Sequence, residues 1–264
     1  MDLSRVPLAE LRARCGAAKS DRDVRRLIAA LRSDRRRGAR ALAILLEGRL
    51  RRQRIEARRM ARLFARRRRL FAAGARWVAG VDEVGVGPLA GPVVAAAVVL
   101  PECIDLPGLD DSKRLSSAVR ERLAAEIRRQ AVAVAIGEVS RAEIDRLNIL
   151  RASLEAMRRA VLDLPVVPDH VLVDARTIPG LRMRQTGLVG GDAIDGSIAA
   201  ASIVAKVHRD AIMRRLHRRY PDYGFGHHMG YPTREHLAAL RRFGATPAHR
   251  RSFGPVAQTI GNGR

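Results

Sequence analysis

Short apolar segments that alternate with helical patterns constrain the fold of this chain more than any other feature. The β-rich runs cover residues 77–82, 93–100, 132–139 and 170–174, and the later helical stretches cover residues 141–162, 198–219 and 233–243. Strands interleaved with helices in this way predict an α/β domain with a mixed central β-sheet flanked by helices.

The chain before these strands has a helical pattern throughout. Ser20 and Asp23 form a helix start signal, and apolar residues follow over 24–31 at the spacing of one helix face. A second helical stretch covers residues 39–71, so the expected shape is a helical hairpin with arginine-rich outer faces.

The sequence changes from a helical pattern to short β-rich runs at Ala72-Ala73-Gly74. We therefore predict two parts, an arginine-rich helical extension over 1–72 and an α/β domain with a C-terminal helical segment over 73–264.

The charge of the chain points to a polyanionic partner, most simply nucleic acid. The net charge is +23, and residues 1–72 hold 23 basic against 7 acidic residues. Solvated surface combined with a codon bias toward arginine is the alternative, because only Lys19, Lys113 and Lys206 are lysines.

Other features narrow the class of protein. The longest uncharged apolar run, residues 93–100, is far too short to span a bilayer. The first residues lack a signal-peptide pattern, and Cys15 and Cys103 suggest no disulfide framework. We expect a cytoplasmic monomer.

Four acids stand where strands give way to loops: Asp82, Glu83, Asp174 and Asp192. Neighbours on a regular strand point to opposite faces, so Asp82 and Glu83 share a site only if the strand breaks between them. Converging carboxylates need a cation, and all-oxygen ligation favours Mg²⁺ or Mn²⁺. Two such ions about 4 Å apart suit phosphodiester hydrolysis. The alternative is four unrelated turn and cap acids.

The stretch Gly85-Val86-Gly87, called the glycine loop below, is typical of backbone recognition, because glycine lets main-chain N–H groups approach a ligand. A dinucleotide fingerprint is the alternative. It requires G-x-G-x-x-G running into a helix, whereas the spacing here is G-x-G-x-x-x-G and an apolar strand follows.

Aromatic residues, rare elsewhere, gather near the C-terminus: Tyr220, Tyr223, Phe225 and Tyr231. We assign Tyr223 and Phe225 to the core, and Tyr231 to an exposed position that suits stacking on a sugar or base. Lys113 and Lys206 stand in motif-like places where a compact ammonium could bind phosphate. The nearby histidines lack the usual zinc spacing.

In order, the chain contains GVDEVGVGPLAGPV, DSKRLS, EIDRLNI, VLVDA, GD, SIAAASIVAKVHRD, YGF, GYPT and HRRSFGPV. Together these motifs resemble bacterial ribonuclease HII from about residue 77 to residue 256. The resemblance implies an RNase H-like fold and cleavage of the RNA strand of RNA–DNA hybrids. It also implies cleavage 5′ of a single ribonucleotide in duplex DNA, leaving a 3′-hydroxyl and a 5′-phosphate.

The resemblance further implies roles for individual residues. The metal ligands would be Asp82, Glu83, Asp174 and Asp192. The ribose-sensing loop would be Gly85, Val86 and Gly87, and the sugar-contacting residue would be Tyr231.

The chain departs from the family pattern at three positions: Val86, Gly190 and Met229 stand where the family usually has a cation. Three alternatives therefore remain: a nuclease of the same fold with altered substrate preference, a non-catalytic hybrid-binding protein, and an arginine-driven DNA-coating protein.

Overall fold

The computed structural model describes residues 3, 5–18 and 20–261. The chain divides into two compact units, Met1–Ala61 and Arg62–Arg264. The first unit is helical, with α1 at Leu8–Ala17, α2 at Asp21–Arg32 and α3 at Arg37–Leu63. Ser20 caps α2 by accepting a hydrogen bond from the Asp23 N–H, as predicted.

Small aliphatic side chains form the core of the first unit, including the fully buried Leu11, Leu31 and Ala39. Arg36 fixes the start of the chain to this core. Its guanidinium donates to the carbonyls of Leu3 and Val6.

The second unit contains a five-stranded sheet and the remaining helices. The strands are β1 Val78–Val84, β2 Val93–Val99, β3 Ala133–Val139, β4 His170–Asp174 and β5 Arg184–Leu188. The helices are α4 Ala65–Ala72, α5 Ser117–Gln130, α6 Arg141–Leu147, α7 Ile149–Leu162, α8 Gly191–Ile194, α9 Gly196–Arg219, α10 Phe225–His228, α11 Arg234–Phe243 and α12 Gly254–Gly261.

The sheet is mixed, as the alternation of strands and helices predicts. Its strand order is β3-β2-β1-β4-β5, in which β1, β4 and β5 are parallel and β2 runs antiparallel to both β1 and β3. Because parallel strands end at the same edge, the carboxyl ends of β1, β4 and β5 meet there.

Helices α7 and α9 cover opposite faces of the sheet. Ala79 and Val81 of β1 pack into the core that α7 completes, whereas Val78 packs against Ile198 of α9. Gly80 lets α9 approach β1, since a Cβ at this position would lie 2.1 Å from the backbone of Ser197. This close approach determines the distance between α9 and strand β1.

Sequence patterns missed several details of this fold. Strand β5 escaped because its residues, RQTGL, are polar and partly exposed at the edge of the sheet. The predicted helix 141–162 is two helices, since Asn148 has φ +70° and caps α7. The predicted helix 39–71 is likewise interrupted at Phe64. The assignment of residues 1–72 as an extension stays a prediction.

Within the described ranges, no helix has the length and apolar character needed to cross a membrane.

Candidate active site

The parallel strands bring the predicted acids to one edge of the sheet. Asp82 and Glu83 lie near the end of β1, and Asp174 is the last residue of β4. The chain leaves β5 at the same edge and enters α8, which carries the buried Asp192. These four acids are called the carboxylate set below.

Strand β1 runs unbroken to Val84, so the chain has no break between Asp82 and Glu83. The two carboxylates instead leave opposite faces of the strand. Ser202 on α9 lies beside Asp82 and Ser153 on α7 lies beside Glu83, and each serine opposes the rise in the pKa of its neighbouring carboxyl. The two carboxylates can still contribute to one site, because β1 ends one residue after Glu83 and both side chains lie at the same edge of the sheet.

The other two acids are held from the loops. Asp174 Oδ1 accepts the N–H of Gly191 at 2.7 Å, which ties the end of β4 to the start of α8. Lys113 Nζ donates to Asp192 Oδ2 at 2.9 Å. The segment carrying Lys113 is fixed by Arg120, which donates to the carbonyls of Ser112 and Leu115.

Burial and mutual repulsion dominate the electrostatics of the carboxylate set. Burial, and then the charge of Glu83, raises the pKa of Asp82 well above its usual value. Burial and the neighbouring Asp174 raise the pKa of Glu83, and burial raises the pKa of Asp174. The hydrogen bond to Asp192 raises the pKa of Lys113, so this ammonium stays charged in direct contact with the set.

This chemistry fits a divalent cation, because only a strong positive charge offsets several buried carboxylates. As they stand, no three His, Cys, Asp or Glu side chains in the described part of the chain are grouped closely enough to hold one. Asp192 is engaged by Lys113, and Asp174 by the Gly191 N–H. A bound ion would compete with these partners.

Two buried arginines brace the glycine loop from beneath. Arg250 donates to the carbonyls of Gly85, Val86 and Gly91. Arg209 donates to three further carbonyls, those of Ala90, Pro92 and Met229. Neither guanidinium has an ion pair among the described residues, and both are fully buried. Arg209 and Arg250 are called the buried arginine pair below.

The buried arginine pair decides which backbone groups of the glycine loop face outward. In a trans peptide the C=O of one residue and the N–H of the next point in opposite directions. With the carbonyls of Gly85 and Val86 bound to Arg250, the N–H groups of Val86 and Gly87 point away from it. Neither N–H has a hydrogen-bond partner within the described ranges. Gly85 itself must be glycine, since its φ is +94° and a Cβ would lie 2.2 Å from Arg209 Nε.

Tyr231 lies beside the glycine loop and is 43% exposed, as predicted. Its ring stands 3.5 Å from the position that a Cβ on Gly87 would occupy. The N–H of Leu89 donates to the carbonyl of Gly230 at 2.8 Å, which links the two segments. Tyr223 and Phe225 are buried, in agreement with their assignment to the core.

The two lysines have different surroundings. Lys113 contacts the carboxylate set, whereas Lys206 Nζ binds Asp210 Oδ1 at 2.6 Å on the next turn of α9. Lys206 therefore has an acidic partner of its own, and phosphate binding by either lysine stays a prediction.

Two of the three positions without the usual family cation have a left-handed backbone. Gly190 has φ +65° and Met229 has φ +51°. Val86 is 38% exposed. Arg184 does not supply a cation at this edge, because it pairs with His170 in the strand register, at the opposite end of β4 from Asp174. Arg176 is better placed, because its charge lowers the pKa of Glu83.

Sequence patterns did not reveal the residues that support the site: Ser153, Ser202, Arg120, Arg209 and Arg250. Ser202, Arg209 and Arg250 stand within the motifs SIAAASIVAKVHRD and HRRSFGPV, but the motifs do not indicate what these side chains contact. The arginines were hidden among 47 arginines in the chain.

Comparison with known proteins identifies the family of this chain. The sequence model of ribonuclease HII matches residues 79–256. Ribonuclease HII of Geobacillus thermodenitrificans is 53% identical over 88% of this chain and 89% of its own length. Ribonuclease HII of an Anaeromyxobacter species is 49% identical over 98% of this chain and 82% of its own, so the N-terminal helices have a counterpart there.

Among solved structures, ribonuclease H2 from Pyrococcus horikoshii superposes with a TM-score of 0.62 and 26% identity, covering 70% of this chain and 98% of that protein. The RNase H-like fold that the motifs implied is therefore confirmed. Because the family model matches residues 79–256 and the relatives are about half identical over most of their length, the chain belongs to the ribonuclease HII family.

Proposed function

We propose that the chain is a divalent-metal-dependent endonuclease that cuts the RNA strand of RNA–DNA hybrids and cuts 5′ of single ribonucleotides embedded in duplex DNA. The products would carry a 3′-hydroxyl and a 5′-phosphate. The observation that supports this most is the placement of the carboxylate set at one sheet edge, next to outward-facing N–H groups.

Asp82, Glu83, Asp174 and Asp192 would hold Mg²⁺ or Mn²⁺. When bound, such ions activate water and stabilise the leaving oxygen in phosphodiester hydrolysis. Lys113, which contacts Asp192, would lie close enough to the site to bind a substrate phosphate. Ser202 and Ser153, which lie beside Asp82 and Glu83, would help to orient the two carboxylates.

Recognition of the ribose would rest on the glycine loop and Tyr231. The N–H groups of Val86 and Gly87 can donate to a 2′-hydroxyl, the group that distinguishes RNA from DNA at one position. The exposed ring of Tyr231 can pack on the sugar at the same point. Side chains contribute little to this loop, so recognition by the backbone survives the change to Val86.

Cleavage of a duplex with one embedded ribonucleotide, with and without Mg²⁺ or Mn²⁺, tests the proposal directly. We expect one cut 5′ of the ribonucleotide, only with metal. Tight binding without any cut under either metal would favour a non-catalytic hybrid-binding protein instead. Cleavage of long hybrids but not of the single ribonucleotide would indicate altered substrate preference, for which Val86 is the specific reason.

Divalent metal is expected to stabilise the folded protein. A ligand at about a hundred times its dissociation constant adds about 2.7 kcal/mol to the free energy of unfolding. For a protein of this size that corresponds to a rise in melting temperature of about 5–10 °C. Calorimetry with and without Mg²⁺ or Mn²⁺ measures the rise. The Asp82→Asn variant should lose most of it, and an equal rise in both proteins would place the ion elsewhere.

Restoring a cation in the glycine loop is expected to tighten binding without changing selectivity. An arginine at position 86 would add a charge-assisted contact to a nearby phosphate, worth roughly 1.5–3 kcal/mol, or about 10- to 150-fold. Screening at this exposed position lowers the gain. Dissociation constants of native and Val86→Arg proteins on duplexes with and without the ribonucleotide provide the test. A changed ratio between the two duplexes would contradict recognition by the backbone.

Two further proposals concern the protein as a whole. We propose that it acts as a monomer in the cytoplasm.

A further inference from the structure

Two buried histidines connect Tyr231 to the segment beside the glycine loop. His236 on α11 and His249 are both fully buried, and their Nε2 atoms lie 3.1 Å apart. His236 Nδ1 lies 2.9 Å from the carbonyl oxygen of Tyr231. His249 Nδ1 lies 3.0 Å from the N–H nitrogen and 2.9 Å from the hydroxyl of Thr246. His236 and His249 are called the histidine pair below.

These contacts determine the tautomer of each ring. A carbonyl only accepts, so His236 must donate from Nδ1 to Tyr231 and present a lone pair at Nε2. A backbone N–H only donates, so His249 must accept at Nδ1 from Thr246 and carry its proton on Nε2. The bond between the rings therefore runs from His249 Nε2–H to His236 Nε2, and every polar atom of both rings is paired.

The surroundings keep both rings neutral. Phe225 stands edge-on to His236 at 5.3 Å, and His228 stacks on His236 at 4.5 Å between ring centres. Burial lowers the pKa of His236, and burial together with His236 lowers the pKa of His249 to about 4. The hydrogen bonds from Thr246 through both rings to Tyr231 require that His236 and His249 are neutral.

The histidine pair joins the two segments that face the ribose. His236 holds the carbonyl of Tyr231 directly. The backbone of His249 pairs with Ala90, and the N–H of Arg250 donates to the carbonyl of Leu89 at 2.8 Å. Residues 89 and 90 are separated from the glycine loop by Pro88 alone. A shift of one histidine therefore changes the spacing between Tyr231 and the loop.

We propose that His236 and His249 are positioning residues that set Tyr231 against the glycine loop for recognition of the ribose. The inference rests on the proposed function, in which Tyr231 contacts the sugar. Neither histidine touches substrate, and their effect on cleavage passes through the position of Tyr231.

A double-mutant cycle tests whether the effect passes through Tyr231. The four proteins are native, His236→Leu, Tyr231→Ala and the double variant, with kcat and KM measured on a duplex carrying one ribonucleotide. Loss of a neutral hydrogen bond predicts that His236→Leu lowers kcat/KM roughly two- to tenfold in the native background. In the Tyr231→Ala background the same change should have almost no further effect.

Conservative variants keep the test valid if His236→Leu unfolds. His236→Asn retains a donor at the Nδ1 position, and His249→Gln retains one at the Nε2 position, so both should recover most of the activity. The matched control is His208→Leu, which should cleave normally. His208 is a partly exposed histidine on α9 that contacts Glu138. Melting temperatures of all variants identify any that fail to fold.

The outcomes separate the two proposals. Equal losses from His236→Leu in both backgrounds would overturn the positioning role, since the histidine would then act independently of Tyr231. A loss from His236→Leu with no loss from Tyr231→Ala would also overturn it and leave the nuclease function intact. Absence of metal-dependent cleavage by the native protein would instead contradict the proposed function.

Discussion

Replacing Asp82 with Asn is expected to abolish cleavage while leaving substrate binding intact or tighter. The change removes one charge from the carboxylate set and so weakens its hold on divalent metal. Loss of a residue that merely orients a metal ligand costs roughly 10- to 100-fold, and loss of a ligand itself should exceed this. Binding persists because repulsion between the carboxylates and the substrate phosphates falls. Asp174→Asn should behave in the same way.

The same substitution should stabilise the metal-free protein. Asp82 is 5% exposed and lies beside Glu83, Asp174 and Asp192, so its charge is unfavourable without a cation. The amide of Asn keeps the shape and removes the repulsion. If Asp82→Asn loses activity while its melting temperature rises, the loss of activity cannot be caused by damage to the fold.

Single-turnover cleavage, with dissociation constants on the same duplex, measures the effect. Asp163→Asn is the matched control, because this exposed acid ends α7, far along the helix from Ser153. It removes one negative charge without touching the site and should leave cleavage unchanged. Near-normal turnover in Asp82→Asn or Asp174→Asn would end their assignment as metal ligands.

Removing the first helical unit is expected to weaken substrate binding and flatten its salt dependence. A protein with about six to ten phosphate contacts loses roughly a thousand- to a hundred-thousand-fold in affinity between about 50 and 200 mM salt. Residues 1–61 contain 18 of the 50 basic residues. If they contact phosphates, the slope of log K against log salt becomes shallower by about 0.9 per lost contact. The rate at saturating substrate should change little.

The truncated chain should begin at Arg62, because α4 belongs to the second unit. Arg67 on α4 is buried and donates to the carbonyls of Leu100 and Pro101, and Leu70 and Phe71 pack against Val78. A cut at residue 73 would remove these contacts and confuse loss of binding with loss of stability.

A full-length variant provides the control for truncation. Four exposed arginines on α3 have no acidic partner among the described residues: Arg51, Arg52, Arg54 and Arg58. Their change to Gln should reproduce part of the flatter slope, and their change to Lys should preserve the native slope. A truncated protein with an unchanged slope would show that this unit does not touch nucleic acid.

Residues at strand ends were predictable from the sequence because their position follows from the parallel sheet. Once β1 and β4 are recognised as apolar runs, Asp82 and Asp174 must meet at one edge. The orientation of Glu83 was not predictable, since the position of Ser153 beside it depends on where α7 packs. Local patterns say nothing about such contacts between distant segments.

The buried residues that hold the site in place were not predicted, for a different reason. Arg209, Arg250, His236 and His249 are polar residues in the interior, and composition assigns such residues to the surface. Their burial is favourable only because each hydrogen-bonding group finds a partner supplied by a remote loop. That satisfaction is a property of the complete fold.

The buried arginine pair has a thermodynamic consequence for substrate binding. Because Arg250 and Arg209 bind six carbonyls around the glycine loop, the loop loses its conformational freedom when the protein folds. Association then imposes little additional ordering entropy on it. More of the interaction free energy is left to distinguish one hydroxyl group, which is the only chemical difference between a ribose and a deoxyribose in the same duplex.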